Sequence, residues 1–327
     1  MPAANEVIGS QGQLRTLIYG PAKSKKTWWA LRAAEFGYRV LLIDMEHGSA
    51  IAKQLPKEAL KNVYIIDAAD GPRDAFAAVS TTMLLRGGLV YFDEASRKIG
   101  TRPAPGLRQY NLFDFGRDTV IVFDSYTALV NSVTRKFAIE NNIDLADAAK
   151  PEWEGYRWCG AALTWLLEQM CTLSAHVVLI AHETRYEKRK PAQGKQQGEV
   201  EFTRRQPLSS SNPHGMSIAA KFEDVLYFYA QGRSNFIEAT GNKLEDGGSR
   251  NIEPKRYDWN EMSIGALMQA AGCERPRSPV EPFDFLECVA GPQIGGGPVI
   301  NTTQGAATQS VSKPAISNNR PSLLIKR

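Results

Sequence analysis

YGPAKSKKTWW, residues 19–29, comes within one residue of the phosphate-binding pattern G-x-x-x-x-G-K-[ST]. Gly20 opens the pattern and Lys26-Thr27 close it, while Lys25 stands where the second glycine belongs. Such a loop works because successive backbone N–H groups at a helix N-terminus point at an anion. Its lysine reaches the β- and γ-phosphates of a nucleotide, and its Ser/Thr hydroxyl binds Mg²⁺. Gly20, Pro21, Ala22, Lys23, Ser24, Lys25, Lys26, Thr27 and Trp28 are therefore the candidate nucleotide-binding set. A lysine at position 25 carries about 1 kcal/mol of strain if the position needs a positive φ. That is small beside the roughly 8 kcal/mol of micromolar nucleotide binding, and the added cation partly offsets it by attracting phosphate. The plain alternative is a basic loop followed by an amphipathic helix.

The flanking sequence supplies the context that the loop needs. LRTLIYG (14–20) is a short apolar run ending in glycine, and residues 25–36 read as a helix rich in Ala, Leu and Trp. YRVLLID (38–44), NVYIIDA (62–68), DTVIVFD (118–124) and HVVLIAH (176–182) are further apolar runs. Unbroken runs of this length suit strands buried on both faces, as in a parallel sheet covered by helices. Residues 74–85, 151–175 and 262–272 carry helical patterns, with Leu163, Leu166, Leu167, Met170 and Leu173 at helical spacing. The alternation predicts an α/β fold with a mainly parallel sheet. DVLYFYA (224–230) and NFIEAT (235–240) read as a hairpin. Residues 87–118 read as an insertion before the strand at 118–124.

Three strand ends add chemistry, since ligands of open α/β sheets bind at the C-terminal ends of strands. Asp124, followed by Ser125, is placed to hold Mg²⁺ together with Thr27; a strand-end Asp capping a turn is the alternative. Glu46, two residues past Asp44, is a candidate to orient or deprotonate the water that attacks a γ-phosphate, against a solvated acidic turn. His182 is a candidate γ-phosphate sensor, against a satisfied strand-end histidine. After it, residues 183–214 turn polar and lose periodicity, with Arg185, Lys188, Arg189, Lys190, Lys195, Arg204 and Arg205 among them. Cations so placed neutralise the phosphates of a nucleic acid backbone, and Tyr186 or Phe202 would stack on bases. Glu183, Glu187, Glu199 and Glu201 dilute the charge, and a solvated surface loop is the alternative.

Taken in order, these pieces resemble the RecA-like P-loop ATPase core, and G-P-x-K-S-x-K-T is similar to the phosphate loop of the phage single-strand annealing ATPases. IDMEH (43–47) resembles the segment that carries the catalytic glutamate, at Glu46. VIVFDSYTAL (120–129) resembles the Walker B strand, at Asp124 and Ser125, and LIAHE (179–183) the sensor strand, at His182. The resemblance covers roughly residues 10–260. It implies Mg²⁺-dependent ATP hydrolysis, a homo-oligomeric ring or filament, and binding of single-stranded DNA in recombination and repair, with residues 183–214 at the second DNA-contacting loop. Lys255-Arg256 resemble, without the usual spacing, a pair that reaches a neighbouring subunit's γ-phosphate. Two rivals stay open: a nucleotide-binding module without turnover, and a motor or loader acting on duplex DNA or a protein.

Composition is compatible with this reading. Of 327 residues, 43% are hydrophobic and 23% charged, the balance of a globular chain. A net charge of +4 permits nucleic acid as a partner without requiring it. No run of about 18 apolar residues predicts a membrane span, and the N-terminus lacks the layout of a secretory signal. The expected location is the cytoplasm, that of the host for a phage-encoded chain. Cys159, Cys171, Cys273 and Cys288 show no metal-ligand spacing and read as reduced thiols. The domain is expected to end near residue 274; 275–327 read as a Pro/Gly-rich linker and disordered tail, which ends in the apolar and basic cluster SLLIKR and is a candidate contact for a protein partner.

Overall fold

A computed structural model describes residues 12–93, 96, 98–102, 107–144, 153–189, 200–209, 217–232, 234–240 and 247–276. Of the expected linker and tail, residues 277–327 lie outside the described residues, as do Lys190 and Lys195.

Thirteen strands form among these residues. They are β1 (Arg15–Gly20), β2 (Arg39–Asp44), β3 (Val63–Asp67), β4 (Val90–Asp93), β5 (Lys98–Gly100), β6 (Arg108–Tyr110), β7 (Thr119–Asp124), β8 (His176–Arg189), β9 (Val200–Pro207), β10 (Asp224–Gln231), β11 (Ser234–Glu238), β12 (Gly248–Ser249) and β13 (Arg256–Asp258). The main sheet runs β13-β11-β10-β1-β8-β7-β2-β3, with β12 added to β10 and β9 to β8. Every pair from β10 through β1, β8, β7 and β2 to β3 is parallel. The expected mainly parallel sheet is thus present, and the expected hairpin is the antiparallel pair β10–β11.

Alternation along the strands divides the core into two layers. Leu17, Tyr19, Leu41, Ile43, Ile121, Phe123, Val177 and Leu179 face one side. There they pack under α3 (Phe76–Leu85), α4 (Tyr126–Glu140) and α5 (Trp153–Thr172), introduced after α1 (Lys26–Leu31) and α2 (Lys57–Leu60). Ile18, Val40, Leu42, Val120, Val122, Val178 and Ile180 face the other side, against α1 and α6 (Ile264–Ala270). β1, β2, β7 and the inner part of β8 are apolar at consecutive positions because both of their faces are covered.

Several expectations need correcting. The single helix expected over 25–36 is an α-helix to Leu31 followed by a 3₁₀ segment, Arg32–Phe36, closed by Gly37 at φ 88°. The insertion at 87–118 carries a separate antiparallel sheet, β5-β4-β6. Val90, Phe92, Tyr110 and Leu112 join it to the main core. Residues 183–189 and 200–207 are not aperiodic loop: β8 continues past His182 and pairs with β9 as a ribbon, Glu183 opposite Pro207 through Arg185 opposite Arg205. Cross-strand pairing supplies the order there that composition conceals. Helix α4 was not anticipated, although Ser125 caps it by accepting from the Ala128 N–H at 3.2 Å.

Among the described residues, no helix is long and apolar enough to cross a membrane. Leu163, 0% exposed on α5, anchors the helical layer. Leu163→Ala is expected to lower stability by about 2–5 kcal/mol, read from the shift in a urea unfolding midpoint.

Candidate functional site

The C-terminal tips of β1, β2, β7 and β8 lie side by side. Gly20 pairs with His182, and Asp44 with Asp124. Gly20 sits at φ 151°, and a Cβ there would lie 2.0 Å from the Phe228 carbonyl oxygen. Only glycine lets β1 turn into the loop this close to β10.

The loop that follows wraps its own lysine. Lys26 Nζ donates to Gly20 O at 2.9 Å, Pro21 O at 2.8 Å and Ser24 Oγ at 3.3 Å. The side chain is buried, and desolvation lowers its pKa to about 8 against the pull of Asp124, Glu46 and Glu183. Pro21 is half-buried, Ala22 and Lys23 are exposed, and Ser24 donates to Pro21 O at 2.9 Å.

Lys25 sits at φ 63°, left-handed, at the N-cap of α1. The position thus has the backbone that a glycine would favour. Its ammonium lies 4.6 Å from the centroid of Trp259, so the charge expected to draw phosphate is engaged with a ring. Trp259 also meets Trp28 at 5.0 Å, and Arg32 lies over Trp28 at 4.7 Å.

Thr27 donates to Asp124 Oδ2 at 2.5 Å, which ties α1 to the tip of β7. Asp124 is 4% exposed. Burial raises its pKa to about 6; the Thr27 hydrogen bond and Lys26 oppose that, while Glu46 and Asp44 add to it. Asp44 organises the next turn by accepting from the N–H groups of Glu46 at 3.0 Å, Gly48 at 3.0 Å and Ser49 at 2.8 Å.

That turn presents Glu46 to two partners. Ser125 Oγ donates to Oε1, and His182 Nε2 lies 3.1 Å from Oε2. Burial pushes the Glu46 carboxyl up, but the His182 and Ser125 hydrogen bonds, with the charges of His182 and Lys26, hold it below the usual carboxylate range. The His182 N–H donates to Thr127 Oγ1 at 2.9 Å. Lys26, Thr27, Glu46, Asp124 and His182 are therefore brought together, with Ser125 and Thr127 as supports.

Residues expected at the periphery are placed as follows. Lys188 and Arg189 lie on the outer part of β8, and Arg204 and Arg205 on β9. Arg185 is exposed, 3.9 Å from Glu183. Arg205 donates to the Tyr227 hydroxyl at 3.2 Å, and that hydroxyl donates to Glu183 at 2.7 Å. Lys255 pairs with Glu253 at 3.1 Å. Arg256, on β13, stacks 3.5 Å from the Phe236 centroid and donates to Gln231 at 2.9 Å. Trp259 and the Glu183–Tyr227–Arg205 chain were not foreseen, because each is assembled between segments far apart in sequence.

The donor set fits a magnesium nucleotide. A hydroxyl and a buried carboxylate are the hard oxygen donors that Mg²⁺ selects. Burial is what chiefly raises the Asp124 pKa; Glu46 and Asp44 add to it, and Lys26 opposes it only in part. Among the described residues there is no cluster of three or more His, Cys, Asp or Glu suited to an all-protein metal site.

The profile of an AAA domain family matches residues 13–211, more than half of the chain, and the chain belongs to that family, a P-loop NTPase at the general level. Among solved structures it is similar to one described as the RadB recombinase, with 16% identity, a TM-score of 0.35, and coverage of 76% of this chain and 86% of that one. A likeness that loose carries no inference about function. Among curated proteins, none matches the chain.

Two predictions follow from the charges. Lys25→Gly relieves about 1 kcal/mol of left-handed strain and forfeits about 0.5–1 kcal/mol of cation–π contact. Its melting temperature should stay close to wild type, while Lys25→Ala, which keeps the strain and loses the ring contact, should melt lower. The second concerns Asp124. Its raised pKa means that the folded state keeps a proton which the unfolded chain has lost between pH 3.8 and about 6. Stability from this group is full below that window and falls as pH rises through it. Without divalent cation, Asp124→Asn should match wild type near pH 4 and exceed it at pH 7 by roughly 2 kcal/mol, measured by denaturant titration at both pH values. His176, lowered to about 4 by burial, acts in the opposite sense across the same window; being present in both proteins, it cancels in the difference.

Proposed function

We propose that this chain is an ATPase that binds single-stranded DNA and works as a homo-oligomer in recombination or strand annealing. The observation that carries the ATPase reading is the convergence of Lys26, Thr27, Glu46, Asp124 and His182 at adjoining strand tips.

In this reading the loop amides and Lys26 hold the phosphates, and Thr27 with Asp124 holds Mg²⁺. The metal, when bound, neutralises charge on the phosphate oxygens. Glu46 stays ionised at neutral pH because His182 and Ser125 donate to it, and one of its carboxylate oxygens accepts the proton of the attacking water. Its two hydrogen-bond partners fix the rotamer in which it does so. His182, joined to Glu46 through its ring and to Thr127 through its N–H, registers a change at either.

DNA binding rests on the β8–β9 ribbon. It leaves the sheet directly after His182, and its arms carry Arg185, Lys188, Arg189, Arg204 and Arg205. A basic ribbon at the nucleotide end of the sheet gives a backbone-neutralising surface. Lys255 and Arg256 are proposed to act on a neighbouring subunit's nucleotide, and the chain beyond residue 275 to recruit a protein partner. A second reading, nucleotide binding without turnover, is favoured by one observation: Lys25 holds the loop in a left-handed conformation that a side chain strains.

Lys26→Ala is expected to abolish ATP binding while keeping a wild-type circular dichroism spectrum. Glu46→Gln should bind ATP normally and lose roughly 10²–10⁴-fold in turnover. Phosphate release by wild type, measured with and without a single-stranded oligonucleotide, separates the readings: DNA-stimulated release supports the ATPase, and binding without release supports the second.

A further inference from the structure

The order of strands gives the nucleotide site a direction. On one side of β1 lie β8, β7 and β2, and on the other β10, β11 and β13. His182, Asp124 and Glu46, the groups suited to the terminal phosphate and its metal, all come from the first side. Trp259 comes from the second, immediately after β13. A triphosphate lying along the loop with its terminal phosphate toward Glu46 points its nucleoside end toward Trp259.

What waits there is an aromatic surface within reach of the loop. Trp259 and Trp28 are half-buried, with centroids 5.0 Å apart and rings inclined by 58°. Trp28 directly follows Thr27, and Lys25 Nζ stands 4.6 Å from the Trp259 centroid, so one lysine side chain spans the gap between loop and ring. Trp29 Nε1 donates to Met262 O at 2.7 Å, which pins the segment carrying Trp259 against α1. The two indoles therefore keep their place relative to the phosphate loop.

We propose that Trp259, with Trp28 beside it, is the platform on which the base of the bound nucleotide stacks. The assignment rests on the nucleotide-binding reading of the loop and adds to it where the base goes and how it is held. Every base has a π-face, so a platform of this kind is tolerant of base identity and favours the larger purine. The Lys25 ammonium, already at the ring, adds a cation to the stack.

The test compares ligands with and without a base. Binding of Mg·ATP, Mg·GTP and inorganic tripolyphosphate is measured by calorimetry on the full chain and its Trp259→Ala, Trp259→Leu, Trp259→Phe and Lys26→Ala variants. Leucine keeps apolar packing without a π-face, which keeps the experiment decisive if alanine disturbs folding. The expected result is about tenfold weaker ATP and GTP binding in Trp259→Ala and Trp259→Leu, near-normal binding in Trp259→Phe, and tripolyphosphate affinity within about twofold of wild type throughout the Trp259 series. Equal weakening of ATP and tripolyphosphate, or unchanged ATP affinity in the leucine variant, overturns the platform while leaving the phosphate site standing. Retention of both ligands by Lys26→Ala overturns the phosphate site itself, and the platform with it.

Discussion

The hydrogen bond from Thr27 to the buried Asp124 carboxylate is the joint on which the nucleotide end of the sheet depends. It fastens the first turn of α1 to the tip of β7, and it does so with a group that burial makes reluctant to ionise. Around it one cation partly offsets several carboxylates. Lys26 stands against Asp124 and Glu46, and each pKa moves in the direction that its burial and neighbours dictate. Lys26 is held by its own loop's carbonyls and Glu46 by a serine and a histidine, so neither charge is left without a hydrogen bond in a poorly solvated place. The geometry proposed here to hold a magnesium nucleotide is thus built by the same contacts that make its charges tolerable.

How much of this the sequence displays depends on how local each contact is. β1, β2, β3, β7 and the inner half of β8 stand out because both faces are covered, leaving consecutive apolar residues. Asp124 and His182 stand out at the end of such a run and Glu46 just past one, while Lys26 and Thr27 are betrayed by the phosphate-loop pattern. The strands β4, β5 and β6 do not: three or four residues are too few to show a period. Helix α4 hides its stripe of Leu129, Val130 and Val133 among threonines and other β-branched residues that read equally well as strand. The ribbon is invisible because pairing, rather than apolar pattern, makes it. Trp259 is farthest from view: nothing near it in the chain says that it meets Lys25.

Lys25 shows how a departure from a pattern is absorbed. A positive φ is retained at a position where a side chain is costly, and the ammonium finds an indole face close by. The same indole packs on Trp28, whose other neighbour is Arg32. Cation, ring, ring and cation thus bridge the loop to the segment after β13. In a loop closed by glycine that connection would have no side chain to begin from.

One consequence concerns mechanics. From His176 to Arg189, β8 contains neither glycine nor proline, and it runs from the floor of the sheet through His182 into the ribbon. There is no built-in hinge between the two, so a tilt imposed at the histidine is carried outward as in a stiff lever and grows with distance from the pivot. Leu208 N–H, bonded to the His182 carbonyl at 2.9 Å, clamps the returning arm at the fulcrum, so both arms swing together.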